Sequence, residues 1–333
     1  MTAKLGQFQA KSSLDDSTPR LIGSTGEGKP LPKSGSGLIE RAFANPWLLL
    51  SLTCLFWGGN VVAARQAIGE ISPMTLVTGR WALTCAILVL AARKAFMADL
   101  PTLAPKWPRI LLMGLFGFTG YHTLYYVSAH YTPGLHIAIL QGVTPVLVFI
   151  GAWLLWRTPV RLAQALGCLL TLVGVALVGA RGELSQLAAM QFNLGDIGML
   201  VASVFYGGYT LALRTRPAAS PMGFFVALGF VALLTSLPLL GAEWALGELF
   251  WPTGKGLVIL LYVAIFPTLL AQVFFIRGVE LIGPGRATLF YNLTPAIGAI
   301  FSTVFLREPF EVYHAVALAL VIGGVMMAER LGR

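Results

Sequence analysis

The chain has 333 residues, of which 56% are apolar and only 11% are charged, and its mean hydropathy is +0.77. A soluble domain carries about 25% charged residues, so this composition excludes a soluble protein and predicts an integral membrane protein. The formal net charge is +9. In a membrane protein such an excess orients loops across the bilayer, and nucleic-acid binding is not expected. Cys54, Cys85 and Cys168 lie in apolar runs, which predicts small core residues and neither disulfides nor a metal site.

The N-terminal segment differs from the rest of the chain. Residues 1–46 are predicted to form a disordered cytoplasmic tail, because they are rich in Ser, Gly, Pro and Lys and have no long apolar run before the first span. A spanning helix needs about 20 mostly apolar residues. That requirement predicts ten spans, over 47–67, 74–96, 108–129, 134–156, 162–181, 194–214, 221–242, 255–277, 285–306 and 311–330.

The basic residues predict the orientation of these spans. With the N-terminus in the cytoplasm, fifteen Lys and Arg of the loops and flanks lie inside and four lie outside. The outside set is Arg65, Arg181, Lys255 and Arg307. Since short cytoplasmic loops carry the excess of Lys and Arg, the count favours an even number of spans with both termini cytoplasmic.

The second half of the chain repeats the first. A shift of 150 residues aligns Thr144-Pro145 with Thr294-Pro295 and Arg157 with Arg307, and a shift of 149 aligns Gly58-Gly59 with Gly207-Gly208. Five spans per half means that the second copy enters the membrane from the opposite side. The predicted fold is therefore all-α, with ten transmembrane helices in two inverted five-helix repeats, 47–181 and 194–330, around a central cavity.

The repeated motifs resemble a known family. The first copy has FWGGN (Phe56 to Asn60), Ser72-Pro73, Arg80, Thr144-Pro145 and then Leu154 to Arg157. The second copy has Thr294-Pro295, FLREPF (Phe305 to Phe310) and Gly323-Gly324. These blocks resemble EamA-type transporters of the drug/metabolite transporter superfamily. The usual Glu of the family is present as Glu308, whereas the first copy has Thr158 there, a departure from the pattern.

Within that superfamily the chain is most similar to bacterial exporters of aromatic amino acids. The resemblance implies a transporter in the bacterial cytoplasmic membrane that exports small organic solutes, namely aromatic or other amino acids and related amphipathic metabolites. The expected partners are such a solute and the lipid bilayer. No cofactor or metal is expected. The chain is expected to be monomeric, with a homodimer left open.

Polar and aromatic side chains near the middle of the spans are the candidate substrate contacts, because a buried polar group in hydrocarbon usually faces a cavity or another helix. Helix packing and interfacial belts are the alternative explanation for single tyrosines. Tyr121, His122 and Tyr125 share one helix face, which favours a cavity. The predicted substrate-binding residues are Trp57, Asn60, Tyr121, His122, Tyr125, Gln141, Thr144, Tyr206, Tyr291 and Asn292.

Two prolines and two glycine pairs suggest places where helices bend or touch. Pro145 and Pro295 lie near the middle of spans four and nine, where proline frees the carbonyl four residues earlier. They are predicted hinges, with a kink that has no functional role as the alternative. Thr144 could satisfy the carbonyl freed at Gln141. The pairs Gly58-Gly59 and Gly207-Gly208 are predicted to be close-packing points between helices, with flexible joints as the alternative.

Acidic residues are absent from the middle of the predicted spans. This absence favours alternating access without obligatory proton coupling, since a proton-driven carrier commonly holds a membrane carboxylate. His122 is expected to be a lining residue, and Arg80 to have a structural role by reaching the membrane surface or pairing with Glu70. A channel and a proton-coupled drug antiporter remain alternatives. An enzyme is not expected, because HExxH and GxSxG motifs are missing.

Overall fold

The computed structural model describes residues 38–157, 161–180, 182, 192–283, 287, 290–291 and 293–330. Within these residues the secondary structure is helical, without a β-strand. Most of the predicted tail, as well as Thr158 and Asn292, lies outside the described residues.

The described residues of the first half form nine α-helices. They are α1 (Leu38–Phe43), α2 (Pro46–Gln66), α3 (Pro73–Ala91), α4 (Arg93–Leu103), α5 (Trp107–Gly114), α6 (Tyr121–Ser128), α7 (Gly134–Gln141), α8 (Thr144–Trp156) and α9 (Leu162–Gly179).

The described residues of the second half form six further helices. They are α10 (Leu194–Ala212), α11 (Pro221–Ala245), α12 (Gly254–Val263), α13 (Ala271–Ile282), α14 (Thr294–Leu306) and α15 (Val312–Arg330).

Seven described helical stretches are long and apolar enough to cross a membrane, and three apolar helices are shorter. The chain is therefore a multi-pass α-helical membrane protein. Each of the ten stretches overlaps mainly with one predicted span, although Arg93–Ser128 begins within the second and extends through the third. The count of ten spans stays a prediction because three of the helices are short. The long stretches are Pro46–Gln66, Pro73–Ala91, Arg93–Ser128, Gly134–Trp156, Leu194–Thr215, Pro221–Ala245 and Gly254–Ile282; the short ones are Leu162–Val178, Thr294–Leu306 and Val312–Ala328.

Local sequence explains where several of these helices begin. Asn45 accepts hydrogen bonds from the backbone N–H groups of Trp47 and Leu48 ahead of α2, and Pro46 occupies its first turn. The Ser220 hydroxyl accepts from Gly223 N–H at the start of α11, again next to a proline. These caps satisfy N–H groups that have no partner inside the helix.

Helix α1 falls inside the segment that the composition placed in the tail. Phe43 makes an edge-to-face contact with Phe274, with ring centroids 5.7 Å apart, and its carbonyl accepts from Arg277 Nε at 3.4 Å. The composition of residues 1–46 could not reveal this, because the contacts join positions more than 200 residues apart.

In the described part of the chain, several predicted spans are interrupted rather than uniform helices. Wide π-helical turns occupy Leu115–Gly120 between α5 and α6 and Ala264–Leu270 between α12 and α13. The fourth span is broken at Gly142 and Val143, so that Pro145 lies in the first turn of α8 and not inside a continuous helix. Likewise, a turn at Leu293 precedes α14, so that Pro295 lies in its first turn. Thr144 Oγ1 donates to the Gln141 carbonyl at 3.0 Å, as the sequence suggested.

Several features recur at nearly the same spacing in both halves. The two wide turns start 149 residues apart, at Leu115 and Ala264. Arg157 and Arg307, 150 residues apart, both end a helix with a positive φ, 52° and 56°. Helix packing repeats too: α2 contacts α13 and α14, while α10 contacts α6 and α8, and the pairs α3–α11 and α9–α15 also pack together. These pairings are unchanged when the halves are exchanged.

The two predicted glycine pairs differ in their surroundings. A Cβ atom on Gly58 would lie 2.5 Å from the Ile297 side chain and 3.1 Å from the Gly298 nitrogen, so α2 and α14 approach closely there. Gly208, by contrast, has nothing within 4 Å of such an atom. The packing prediction is therefore confirmed for Gly58 and wrong for Gly208.

Candidate functional site

A cavity of about 70 Å³ lies between helices of both halves. Its wall is aromatic with a few polar groups, and no aspartate or glutamate is among the described residues that line it. The lining residues are Trp57, Asn60, Arg80, Trp81, Phe118, Tyr121, His122, Tyr125, Gln141, Tyr206, Tyr209, Phe225, Pro267, Thr268, Gln272 and Tyr291.

The structure brings together most of the residues singled out from the sequence. Eight of the ten predicted substrate contacts line this cavity: Trp57, Asn60, Tyr121, His122, Tyr125, Gln141, Tyr206 and Tyr291. Thr144 is buried beside it but bonds to backbone, and Asn292 lies outside the described residues. Their common location makes these side chains a coherent candidate site, while their role in binding stays a prediction.

Tyr121 is at the centre of the aromatic wall. Its ring centroid lies 5.0 Å from those of Tyr206 and His122, and 5.8 Å from that of Tyr125. Two further lining residues, Trp57 and Tyr291, make an edge-to-face pair at 5.5 Å. Such spacings are those of favourable aromatic pairs, so the wall offers ring faces and edges to a planar solute.

The wide turns shape the cavity from two sides. In the second turn the Pro267 carbonyl accepts from Trp57 Nε1 at 3.0 Å, which holds the indole in place. Beside the first turn, His122 Nδ1 lies 2.6 Å from the Phe118 carbonyl. π-Helical turns change the direction of successive side chains and often occur at functional sites; they place Phe118, Pro267 and Thr268 in the lining.

Arg80 is the main residue of the site that the sequence interpretation missed. It is 2% exposed and lines the cavity instead of reaching the membrane surface. Its Nη1 donates to Tyr126 Oη at 2.7 Å, and Tyr126 in turn donates to Asn60 Oδ1 at 2.8 Å. The expected pairing with Glu70 is wrong, since Glu70 forms its ion pair with Lys255. The signal in the sequence is the presence of a charged residue inside an apolar span, because such residues usually face a cavity or another helix.

The two predicted hinges meet next to the cavity. A narrow cleft of about 10 Å³ is lined by Pro145 and Pro295 together with Gln141 and Tyr291, which also line the main cavity. The helix break before α8 and the proline of α14 therefore lie side by side. This placement is compatible with bending at either helix; the hinge role itself stays a prediction.

Several carboxylates are buried at helix ends, away from the cavity. The Glu243 carboxylate accepts from Ser72 Oγ at 2.7 Å and from Met74 N–H at 3.0 Å, which joins α11 to the start of α3. Asp196 accepts from Thr132 Oγ1 and lies 3.4 Å from His136 Nδ1. All of these lie at the end of the bundle that the charge count places outside.

Two further contacts close the same end. Glu308 accepts from the N–H groups of Gly134 and Leu135 and lies 3.7 Å from Arg65. In the loop before α3, a hydrogen bond from the Thr253 hydroxyl lowers the pKa of Glu70, and Lys255 adds to this effect. Polar contacts thus connect α2, α3, α7, α11 and α14 at this end.

Comparison with known proteins now identifies the family. The model of the EamA-like transporter family matches the chain twice, over residues 45–180 and 193–329. The chain belongs to the EamA-like transporter family. The family is one of membrane transporters, so the cavity belongs to a transporter and not to an enzyme.

Relatives and a solved structure agree with this assignment. An uncharacterized transporter of Bacillus subtilis strain 168, YetK, is 26% identical over 302 residues, covering 90% of this chain and 91% of YetK. Another from the same organism, YyaM, is 24% identical over 294 residues, covering 86% and 93%. One crystal structure of a protein that is 20% identical in sequence superimposes with a TM-score of 0.60. The match covers 86% of this EamA chain and 97% of the other chain, which shows a shared fold.

Proposed function

We propose that this EamA family member exports small organic solutes, in particular aromatic or other amino acids and related amphipathic metabolites, across a bacterial cytoplasmic membrane. The observation that carries the proposal is the aromatic cavity, whose lining comes from both copies of the family repeat. A solute with a planar apolar part would replace the contacts that these rings now make with each other.

Alternating access is the mechanism that we infer for this transport. The recurrence of both wide turns and of the exchanged helix contacts supports two inverted five-helix repeats, which can swap conformations around a central site. In the present conformation the cavity is about 70 Å³, well below the roughly 300–1,000 Å³ of small-molecule sites. Substrate entry therefore requires the halves to move, with Pro145 and Pro295 as the proposed hinges.

Transport without obligatory proton coupling is part of the proposal, because the described lining contains no carboxylate. One observation favours the alternative of a proton-coupled antiporter: Asp196, His136 and His314 form a buried group at the ends of three helices. A pH gradient across proteoliposomes distinguishes the two. Uphill accumulation of phenylalanine that is lost in Asp196→Asn would establish coupling, whereas absence of accumulation supports the uncoupled mechanism.

Counterflow in proteoliposomes tests the proposed function. Radiolabelled phenylalanine should enter vesicles that are preloaded with unlabelled phenylalanine, with saturable kinetics and faster than in unloaded vesicles. Flux that neither saturates nor responds to the preload would indicate a channel instead.

Substitution of Tyr121 distinguishes a role in substrate binding from a role in helix packing. Tyr121→Ala should reduce counterflow of phenylalanine at least tenfold and that of alanine much less, because only the aromatic solute loses a ring contact. Tyr131→Ala is the matched control, since Tyr131 is 57% exposed and outside the cavity. Equal losses for both amino acids in Tyr121→Ala would assign Tyr121 to packing.

Labelling of introduced cysteines tests the proposed orientation. In a background lacking Cys54, Cys85 and Cys168, a cysteine replacing Trp251, which is 87% exposed before α12, should react with an impermeant thiol reagent added to intact cells. A cysteine replacing Arg216, after α10, should react only after permeabilisation. The reverse result would place the N-terminus outside.

A further inference from the structure

Arg80 places a full positive charge in the wall of the cavity. It is the eighth residue of α3 and is 2% exposed. The guanidinium donates to Thr268 Oγ1 through Nε at 2.9 Å and through Nη2 at 2.5 Å, and to Tyr126 Oη through Nη1 at 2.7 Å. These partners are neutral hydroxyl groups, which orient the charge without cancelling it.

Within the described residues, the charge of Arg80 has no carboxylate partner. The ion pairs found there are Arg65–Glu308, His136–Asp196, Lys255–Glu70 and Arg277–Glu280. The other polar side chains of the lining are hydroxyl, amide, indole and imidazole groups. A buried charge inside a membrane protein is costly and ordinarily pairs with an opposite charge, so the lining is complementary to an anion.

The unused hydrogen-bond donors of Arg80 also favour an anionic ligand. A guanidinium has five N–H groups, of which three are directed at Thr268 and Tyr126. One N–H on each terminal nitrogen is left for a further acceptor. Trp81 Nε1, on the neighbouring lining residue, also has no hydrogen-bond partner among the described residues. The Trp81 ring lies next to the guanidinium, with its centroid 5.6 Å from Arg80 Cζ, so two adjacent lining residues carry N–H groups without an acceptor in the described part of the protein.

The fold itself does not require an arginine at this position. Ser72-Pro73 and Ser220-Pro221 begin the paired helices α3 and α11 with a spacing of 148 residues, so the counterpart of Arg80 in the second copy is Leu228. Leu228 is buried in the core. Since the same helix forms with leucine in the second copy, the charge of Arg80 is a feature of the cavity and not of the helix pair.

We propose that Arg80 binds the carboxylate of the transported solute, and that the substrates are small organic carboxylates with an aromatic body. This inference rests on the proposed function and narrows it: amino acids qualify through their carboxylate, whereas aromatic cations without one are excluded. The aromatic group of the solute lies against Tyr121, Tyr206 and Trp57. Gln141 and Gln272 of the lining offer amide oxygens to an ammonium group when one is present.

A ligand series with one aromatic body tests this assignment on the purified full-length protein. Phenylpropionate, phenylalanine and phenethylamine share the phenyl ring and differ in carboxylate and ammonium groups. Binding is measured by the rise in melting temperature with ligand concentration. Wild type should bind phenylpropionate and phenylalanine at least tenfold more tightly than phenethylamine. Preference for phenethylamine would overturn the proposal.

Two substitutions at Arg80 provide the second arm. Arg80→Gln should weaken the binding of both carboxylates at least tenfold, while the binding of phenethylamine should be unchanged or tighter. Arg80→Lys keeps the positive charge, so its loss of affinity for the carboxylates should be smaller. The control is Arg216→Gln at an exposed position. Loss of all three ligands to the same extent in folded Arg80→Gln would overturn the assignment. The assignment would also be overturned if chloride raised the melting temperature and phenylpropionate did not, because the site would then hold an inorganic anion only.

This binding experiment is separate from the counterflow assay. Carboxylate-selective binding that depends on Arg80 would support the assignment even if no solute were transported, in which case the proposed function alone would fail. Counterflow of phenylalanine that is unaffected by Arg80→Gln would leave the transporter in place and remove the role of Arg80.

Discussion

Replacement of Gly324 by valine is expected to destabilise the protein severely. A Cβ atom on Gly324 would lie 2.5 Å from the Gly167 carbonyl oxygen and 2.9 Å from the Thr171 nitrogen, both of which are backbone atoms of α9. Backbone cannot rotate aside, so α9 and α15 must separate along their contact. Overpacking of this kind costs about 1–3 kcal/mol or more, and we expect the upper end here.

The neighbouring glycine provides a matched control for this substitution. Gly323 has nothing within 4 Å of an added Cβ atom, so Gly323→Val changes the same helix by the same group without a clash. Melting in detergent should shift down by roughly 5–10 °C for Gly324→Val and by much less for Gly323→Val. Equal shifts would mean that helix propensity, and not the contact with α9, sets the stability.

Replacement of Glu308 by glutamine is expected to open the end of the bundle that the charge count places outside. The Glu308 carboxylate accepts from Gly134 and Leu135 N–H at 2.8 and 2.7 Å, and it is 12% exposed beside Arg65 at 31%. It therefore holds the start of α7 against the ends of α14 and α2. Charge-assisted hydrogen bonds contribute about 1.5–3 kcal/mol each, and alternating access must break these contacts whenever this end opens.

Cysteine accessibility measures the effect of Glu308→Gln. In a background without native cysteines, a cysteine replacing Gln272 in the cavity should react with an external impermeant thiol reagent at least tenfold faster when Glu308→Gln is added. Tenfold corresponds to about 1.4 kcal/mol. Glu280→Gln is the control, because the exposed Arg277–Glu280 pair lies within one helix. An unchanged rate in Glu308→Gln would show that Glu308 caps α7 without holding this end closed.

Much of this architecture is local and could be predicted from the sequence. In hydrocarbon, backbone groups must bond within the segment, so an apolar stretch of sufficient length becomes a helix whatever its neighbours are. For the same reason, polar side chains such as Asn60, Gln141 and Tyr206 could be expected to face inward, and the structure places all three in the cavity lining.

The breaks and close approaches depended on contacts that span the whole chain. The motif GG is the same at Gly58-Gly59 and Gly207-Gly208, yet a Cβ on Gly58 would contact Ile297 whereas one on Gly208 would meet nothing. Likewise, the wide turn after α12 is stabilised where Thr268 donates to the Val263 carbonyl and Trp57 donates to the Pro267 carbonyl. The hydrophobic pattern of one helix carries no information about which residues of other helices will pack against it.

Arg80 shows the same limit for the candidate site. In the sequence, Glu70 is the nearest acidic residue before Arg80, which suggested an ion pair between them. The hydrogen-bond partners of Arg80 in the structure, Tyr126 and Thr268, are instead 46 and 188 residues away. Hydrophobicity along the chain determined that α3 crosses the membrane and that this arginine would be buried or near an interface. Only the packing of α3 against α6 and the turn before α13 decided that the charge faces the cavity, because the direction of a buried side chain is set by the helices around it.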